Sequence, residues 1–243
     1  SRRNVLGVFA QASLDYQNYL YLTLASRTDW VSNLAEENRS ITYPSASISF
    51  VPTSVLDFGN LPIDFLKVRA SYGTSATFPT GYPIASTLNL NTKDYKIDGV
   101  DVITNTSGSQ LGNLGLKPEL LAELEFGLEA NLFDNRLSAE ISYFDRSTTD
   151  LIITQPLDPS TGYTSTRTNI GEIGATGWEI DLNADWIRGD KFNWNTSLNY
   201  TTSQSIVEDL GQNTDQIVYA GFSTRGNAAI PGLPLTSMIG TSV

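Results

Sequence analysis

The sequence predicts an all-β protein, part of an antiparallel transmembrane β-barrel and about eight strands of it. Three observations carry this. Eight stretches alternate apolar and polar residues almost without exception, which is the period of a strand with two unlike faces. The apolar parity of those stretches carries no charge, although the chain is rich in acidic residues. The connections between stretches sort into short and long in alternation, as they do when short turns occupy one rim of a barrel and long loops the other.

The first strand is expected over Val5–Leu14, with Leu6, Val8, Ala10, Ala12 and Leu14 on one face and Gly7, Gln11 and Ser13 on the other. A turn at Asp15-Tyr16-Gln17-Asn18 leads to the second, where Leu20, Leu22 and Leu24 oppose Thr23, Ala25, Arg27 and Asp29. The third sets Pro44, Ala46, Ile48 and Phe50 against Ser45, Ser47 and Ser49. The fourth sets Leu66, Val68, Ala70 and Tyr72 against Lys67, Arg69, Ser71 and Gly73. The fifth is the plainest: Leu120, Ala122, Leu124, Phe126, Leu128, Ala130 and Leu132 on one parity, with Glu123, Glu125, Gly127 and Glu129 on the other. After a turn at Asp134-Asn135, the sixth presents Leu137, Ala139, Ile141 and Tyr143 with Ser138, Glu140, Ser142 and Arg146 behind. The seventh sets Trp178, Ile180, Leu182, Ala184 and Trp186 against Glu179, Asp181, Asn183 and Asp185. Arg188-Gly189-Asp190 turns into the eighth, where Phe192, Trp194, Thr196, Leu198 and Tyr200 oppose Asn193, Asn195, Ser197 and Asn199.

Strands of this length suit a tilted crossing of a bilayer, which takes about 9–11 residues, better than a soluble sandwich. Tyr72, Tyr143, Trp178 and Tyr200 fall toward the long-loop rim and Trp186 and Trp194 flank a short turn, the placement of two interfacial girdles. A soluble antiparallel sandwich also buries one parity. Strand length, the uncharged apolar faces and the sorted loops weigh against it, because a charge at the lipid midplane costs about 2–4 kcal/mol.

Composition narrows the function. The 243 residues include 26 acidic and 15 basic side chains, a net charge of −11, with no basic run to neutralise phosphates, so no nucleic-acid partner is expected. No Cys and no His are present, which removes disulfides, thiolate metal sites and the commonest general base. Neither a catalytic residue nor a metal or other cofactor is expected, and the chain reads as no enzyme. No run of apolar residues is long enough for a membrane helix. Ser1-Arg2-Arg3 carries neither an initiator Met nor the apolar core of a signal peptide, and the last residues lack the aromatic of a closing strand. Residues 1–243 are therefore expected to be one segment of a longer barrel domain.

Several segments resemble the barrel of SusC-like (RagA-type) TonB-dependent outer-membrane transporters. These are Gly7-Val8-Phe9-Ala10-Gln11-Ala12, Tyr19-Leu20-Tyr21-Leu22-Thr23, Arg27-Thr28-Asp29-Trp30, Glu37-Asn38-Arg39-Ser40 and Tyr43-Pro44-Ser45. Leu66-Lys67-Val68-Arg69-Ala70-Ser71-Tyr72-Gly73, Asn113-Leu114-Gly115-Leu116-Lys117-Pro118-Glu119 and Gly174-Ala175-Thr176-Gly177-Trp178-Glu179 continue the likeness in the family's order. The resemblance implies a barrel of about 22 strands filled by an N-terminal plug, set in the bacterial outer membrane. It also implies import of oligosaccharides or peptides, a SusD-like surface lipoprotein as partner and energy from the TonB complex. No plug and no TonB box is recognisable, so the family's energy-coupling residues are carried onto no position here. A passive porin-type barrel and a soluble β-rich surface adhesin remain the alternatives.

Two sets of site residues are expected. Arg27, Asp29, Lys67, Arg69, Glu123, Glu125, Glu129, Glu179 and Asp181 should face the lumen, where a hydrated wall paired with basic groups of the plug is the plainest role. Phe78, Tyr82, Tyr95, Tyr163, Tyr219 and Phe222 fall in the long loops and are the candidates for contact with substrate or partner, since ring faces stack on sugars and anchor proteins.

Overall fold

The computed structural model describes residues 2–211, 214–222 and 225–240, with the side chains of residues 92–94, 156, 159, 219, 221 and 222 outside the description. Sixteen strands follow in chain order: β1 (Val5–Tyr16), β2 (Leu20–Val31), β3 (Ser40–Phe50), β4 (Ile63–Thr77), β5 (Leu88–Ile97), β6 (Val100–Ser107), β7 (Gln110–Leu111) and β8 (Glu119–Leu132), then β9 (Leu137–Thr149), β10 (Ile152–Pro156), β11 (Ser165–Asn169), β12 (Glu172–Arg188), β13 (Asn193–Asp209), β14 (Ile217–Phe222), β15 (Arg225–Ala229) and β16 (Met238–Ile239). Eight of them form one antiparallel sheet in the order β1-β2-β3-β4-β8-β9-β12-β13, a meander that leaves β1 and β13 as open edges. These are the eight strands expected from the alternation, and the fold is an antiparallel barrel sheet that does not close on itself.

The apolar parity stays together across the whole sheet. Val8, Leu24, Ile48, Tyr72, Leu124, Phe126, Leu128, Trp178 and Leu198 all stand exposed on one face, in register through pairs such as Ala46↔Tyr72, Tyr72↔Leu124 and Leu182↔Leu198. A soluble protein rarely exposes so large a contiguous apolar surface. Most of the buried hydrophobic side chains among the described residues lie toward the long-loop end: Val31 and Val207 where β2 and β13 reach that rim, and Leu34, Leu116 and Leu210 in the loops. Above the sheet, Val207, Leu210 and Ala229 form a small core with Ile217 and Leu235 against it.

The turns on one rim are short. Gln17 and Asn18 take left-handed backbone at φ 51° and 59°, which asparagine tolerates better than most residues. At the next tight turn Phe133, Asp134 and Asn135 are all left-handed, and Asn135 N–H donates to the Asp64 carboxylate at 2.9 Å. The opposite rim carries residues 32–39, 78–118, 150–171, 210–211, 214–222 and 225–240. There the loops hold sheets of their own: β5-β6, β10-β11-β7 and β14-β15-β16.

The structure extends the expected strands. β4 reaches Thr77, β9 reaches Thr149, β12 starts at Glu172 and β13 runs to Asp209. Beyond the aromatic girdle both parities turn polar, so alternation ends while main-chain pairing continues. The extension also puts charges on the apolar parity: Asp145, opposite Leu124 and Thr176 and one step past the Tyr143–Trp178 ring pair at 5.0 Å, and farther out Glu172, which accepts from the Ser147 hydroxyl. The opposite girdle gains a cluster that the sequence did not reveal, Tyr16, Tyr19 and Phe50, in edge contacts at 5.5 and 6.0 Å.

Candidate functional site

The polar face of the sheet is organised by basic side chains reaching across strands. Lys67 on β4 meets Glu129 on β8 at 3.1 Å, in a directly opposed pair. Arg69 spans farther, touching Glu125 at 2.8 Å, Glu140 on β9 at 3.1 Å and donating to Ser142 Oγ at 2.7 Å. The room for this reach comes from Gly127, directly opposite Arg69, where a Cβ would lie 2.7 Å from the Arg69 Cγ and overlap its Nε. Arg146 pairs with Glu123, its Nε donating at 2.6 Å, and lies 5.2 Å from the Phe144 ring centre. Phe144 in turn sits over Gly177, where a Cβ would strike the ring.

A second cluster lies near the long-loop end of β2. Arg27 donates to Asp29 at 2.9 Å and to the Tyr43 hydroxyl at 3.0 Å, and Tyr43 donates to Asp29. Gly7 on β1 stands opposite Asp29 and leaves space for both charged groups. Asp29 is only 5% exposed, so its charge depends on these partners.

Seven of the nine residues expected on the polar face are thus engaged in ion pairs: Arg27, Asp29, Lys67, Arg69, Glu123, Glu125 and Glu129. Among the described residues no ion pair reaches Glu179 or Asp181. The register sharpens that imbalance. Glu129 stands directly opposite Glu140, and Glu140 directly opposite Asp181, three carboxylates in one row over three neighbouring strands. Like charges so placed repel.

The loop aromatics are dispersed. Phe78 is half-buried just beyond β4. Tyr82 donates its hydroxyl to the Arg2 carbonyl and lines a cavity of about 250 Å³ with Thr80, Gln110 and Arg167. Tyr95 is exposed on the β5-β6 hairpin opposite Val102, and Tyr163 is half-buried before β11. Tyr219 and Phe222 fall on β14, with side chains outside the described residues. Among the described residues no ring contact joins any two of these aromatics.

What holds the loops together is a set of amides that sequence reasoning missed. Asn33, fully buried, donates to the carbonyls of Pro79 and Gly81 at 2.7 and 2.8 Å. Asn113 donates to the Arg167 carbonyl at 2.8 Å, and Arg167 donates to the Thr80 carbonyl at 3.2 Å. Asn169 accepts from Lys117 N–H at 2.7 Å and donates to the Lys117 and Asp150 carbonyls at 2.9 and 2.8 Å. The Glu119 carboxylate accepts the Ile152 N–H at 2.8 Å. β7 and β11 complete the join by pairing in parallel. Only Asn113 stood in a segment with a recognisable pattern; Asn33 and Asn169 gave no signal.

Comparison with known proteins adds the context. Residues 1–237 match the family described as "TonB dependent receptor-like, beta-barrel". TonB-dependent receptor P26 of Formosa agariphila is 30% identical over 219 residues, 85% of this chain and 21% of that protein. TonB-dependent receptor SusC of Bacteroides thetaiotaomicron is 26% identical over 235 residues, 93% of this chain and 23% of that protein. The RagAB peptide importer in its closed-closed state superposes with a TM-score of 0.84 over 94% of this chain and 24% of that one, at 23% identity, a likeness of fold. The chain spans about a fifth of the length of the curated relatives it matches.

Proposed function

The chain belongs to the TonB dependent receptor-like β-barrel family, a family of receptors and transporters of SusC type, and on that footing we propose that it forms part of the wall and external loops of an outer-membrane importer. The cargo is an oligosaccharide or a peptide, the partner a SusD-like surface lipoprotein seated on the long-loop rim, and the energy source the TonB complex. The observation that carries this reading is the division of one continuous sheet into an apolar face, uncharged between its aromatic girdles, and a face of cross-strand ion pairs. Lipid covers the first face and the lumen wets the second. In that arrangement Glu179 and Asp181, unmatched on this wall, face basic groups of the plug that fills the barrel. Residues 1–243 are then one segment of the barrel domain.

The test is uptake. Cells carrying the full-length protein take up fluorescent oligosaccharides or short peptides, and cells lacking the gene do not. Collapsing the proton gradient abolishes uptake by an energised importer. Uptake that survives the collapse identifies a passive porin instead.

A further inference from the structure

The cavity at Tyr82 contains an arginine that the loops position without neutralising. It measures about 250 Å³, and its lining includes Thr80, Gly81, Tyr82, Thr87 and Gln110 of loop 78–118 and Arg167 of β11. Arg167 is held at both ends. Its main-chain carbonyl accepts from Asn113 at 2.8 Å, and its Nη1 donates to the Thr80 carbonyl at 3.2 Å. The residue is half-buried, yet among the described residues it enters no ion pair, and its Nε and Nη2 have no partner. On the polar face of the sheet, by contrast, Lys67, Arg69 and Arg146 each meet a glutamate. A cation drawn partly out of water without a counter-charge is costly, and an anion brought to it relieves that cost.

The surroundings are short of partners too. Among the described residues two buried side-chain atoms make no hydrogen bond. One is Gln110 Nε2, on a residue of the lining; the other is Asn33 Oδ1, on the amide that holds the Gly81 carbonyl of the same lining. Such atoms are rare in folded proteins and costly. This corner of the loops therefore gains more than most from a polar ligand.

Charge and size say which ligand fits. The free Nε–Nη2 edge of a guanidinium matches a carboxylate with two parallel hydrogen bonds. One guanidinium balances the single charge of a carboxylate, where a phosphate carries nearly two. Pockets that enclose a whole small ligand measure roughly 300–1,000 Å³, so this smaller cavity receives one end of a solute. Because Asn113 and Thr80 already fix Arg167, little ordering is left to pay on binding.

We propose that this cavity is a recognition site for a carboxylate at the end of a solute, bound on the free edge of Arg167. The carboxylate is the C-terminus of a peptide or the acid group of a uronic sugar. That the solute is cargo rests on the importer reading; the binding does not.

The experiment uses the full-length protein in detergent and two matched pairs of fluorescent probes, followed by anisotropy. One pair is an N-terminally labelled tetra-alanine as its free acid and as its C-terminal amide. The other is a labelled galacturonate trisaccharide and the neutral galactose trisaccharide. In one pair or both, the acid binds at least about tenfold more tightly than its neutral partner, and the pair that discriminates names the source. Arg167→Gln brings the acid to within about twofold of the neutral probe and leaves the neutral probe unmoved. Arg225→Gln removes the same charge from an exposed position on β15 and changes binding by no more than about twofold. If neither acid outbinds its neutral partner, or if Arg225→Gln costs as much as Arg167→Gln, the proposal is overturned. The probe pairs use the unaltered protein, so misfolding of a variant does not blur them. Whole-cell uptake is read separately: binding without uptake defeats the importer reading and leaves the site intact.

Discussion

Arg69 is the side chain on which the charged wall turns, and a glycine makes that possible. Replacing Gly127 with Ala pushes a methyl group into the Arg69 stem, so the guanidinium leaves Glu125 and Glu140. Glu140 then stands between Glu129 and Asp181 with less compensation. The side chains are partly wet, which screens the loss, so a destabilisation of about 1 kcal/mol is expected in urea unfolding. Gly73 is the control: it lies on the same face, and nothing stands within 4 Å of a Cβ there. Gly73→Ala should change stability by no more than about 0.5 kcal/mol. The other parity obeys a different solvent. Leu124→Arg, Leu128→Arg, Ile180→Arg or Leu198→Arg should each cost about 2–4 kcal/mol near the midplane, while Arg at Glu125 or Asn195 costs far less. Equal costs on both parities in a refolding assay would remove the assignment of lipid and lumen.

At the scale of elements, the eight barrel strands were legible and the eight loop strands were not, for one physical reason. Between two unlike solvents every residue of a strand is sorted by parity, so Leu120 to Leu132 announces itself. Above the girdle water lies on both sides, and β13 continues through Ser203, Gln204 and Ser205 with nothing to mark it. Short strands such as β7 exist because a neighbouring loop pairs with them. The amide clamps leave still less trace, since Asn33 and Asn169 bind main-chain carbonyls that any residue supplies. The polar face was readable residue by residue, but its pairing was not: register, not sequence, puts Glu140 between two other carboxylates. Asn169 joins loops 78–118 and 150–171 by two hydrogen bonds to Lys117 and ties its own loop back to Asp150 by a third. Asn169→Ala should speed proteolysis within both loops together, with the barrel's resistance to heat in detergent unchanged. Faster cleavage confined to one loop would show that the two are not coupled.

For the whole molecule, the proposed importer role carries an orientation with it, the loop sheets outside the cell and the tight turns in the periplasm. Single cysteines are easily placed because the chain has none. At Asn105 and Ser160 they should react with an impermeant maleimide on intact cells wherever the proposed surface lipoprotein leaves them uncovered. At Asn135 and Asp190 they should react only after the outer membrane is opened, and labelling there on intact cells inverts the topology. A further prediction concerns what the eight-stranded sheet can do by itself. Eight strands are enough in number to close a small barrel, but the interior of such a barrel is just filled by side chains. Closing this sheet would force Glu140, Glu179 and Asp181 into that interior, and Glu179 and Asp181 have no ion-pair partner among the described residues. An unpaired charge shut away from water is strongly destabilising. The open edges are also mismatched, 12 residues in β1 against 17 in β13, so the ladder that would seal the barrel is incomplete. Residues 1–243 expressed alone should therefore give no heat-resistant monomeric barrel in detergent and should associate through the two free edges. A monomer with dispersed amide resonances and resistance to heat would show that the wall closes on itself and that its carboxylates need no partner beyond it.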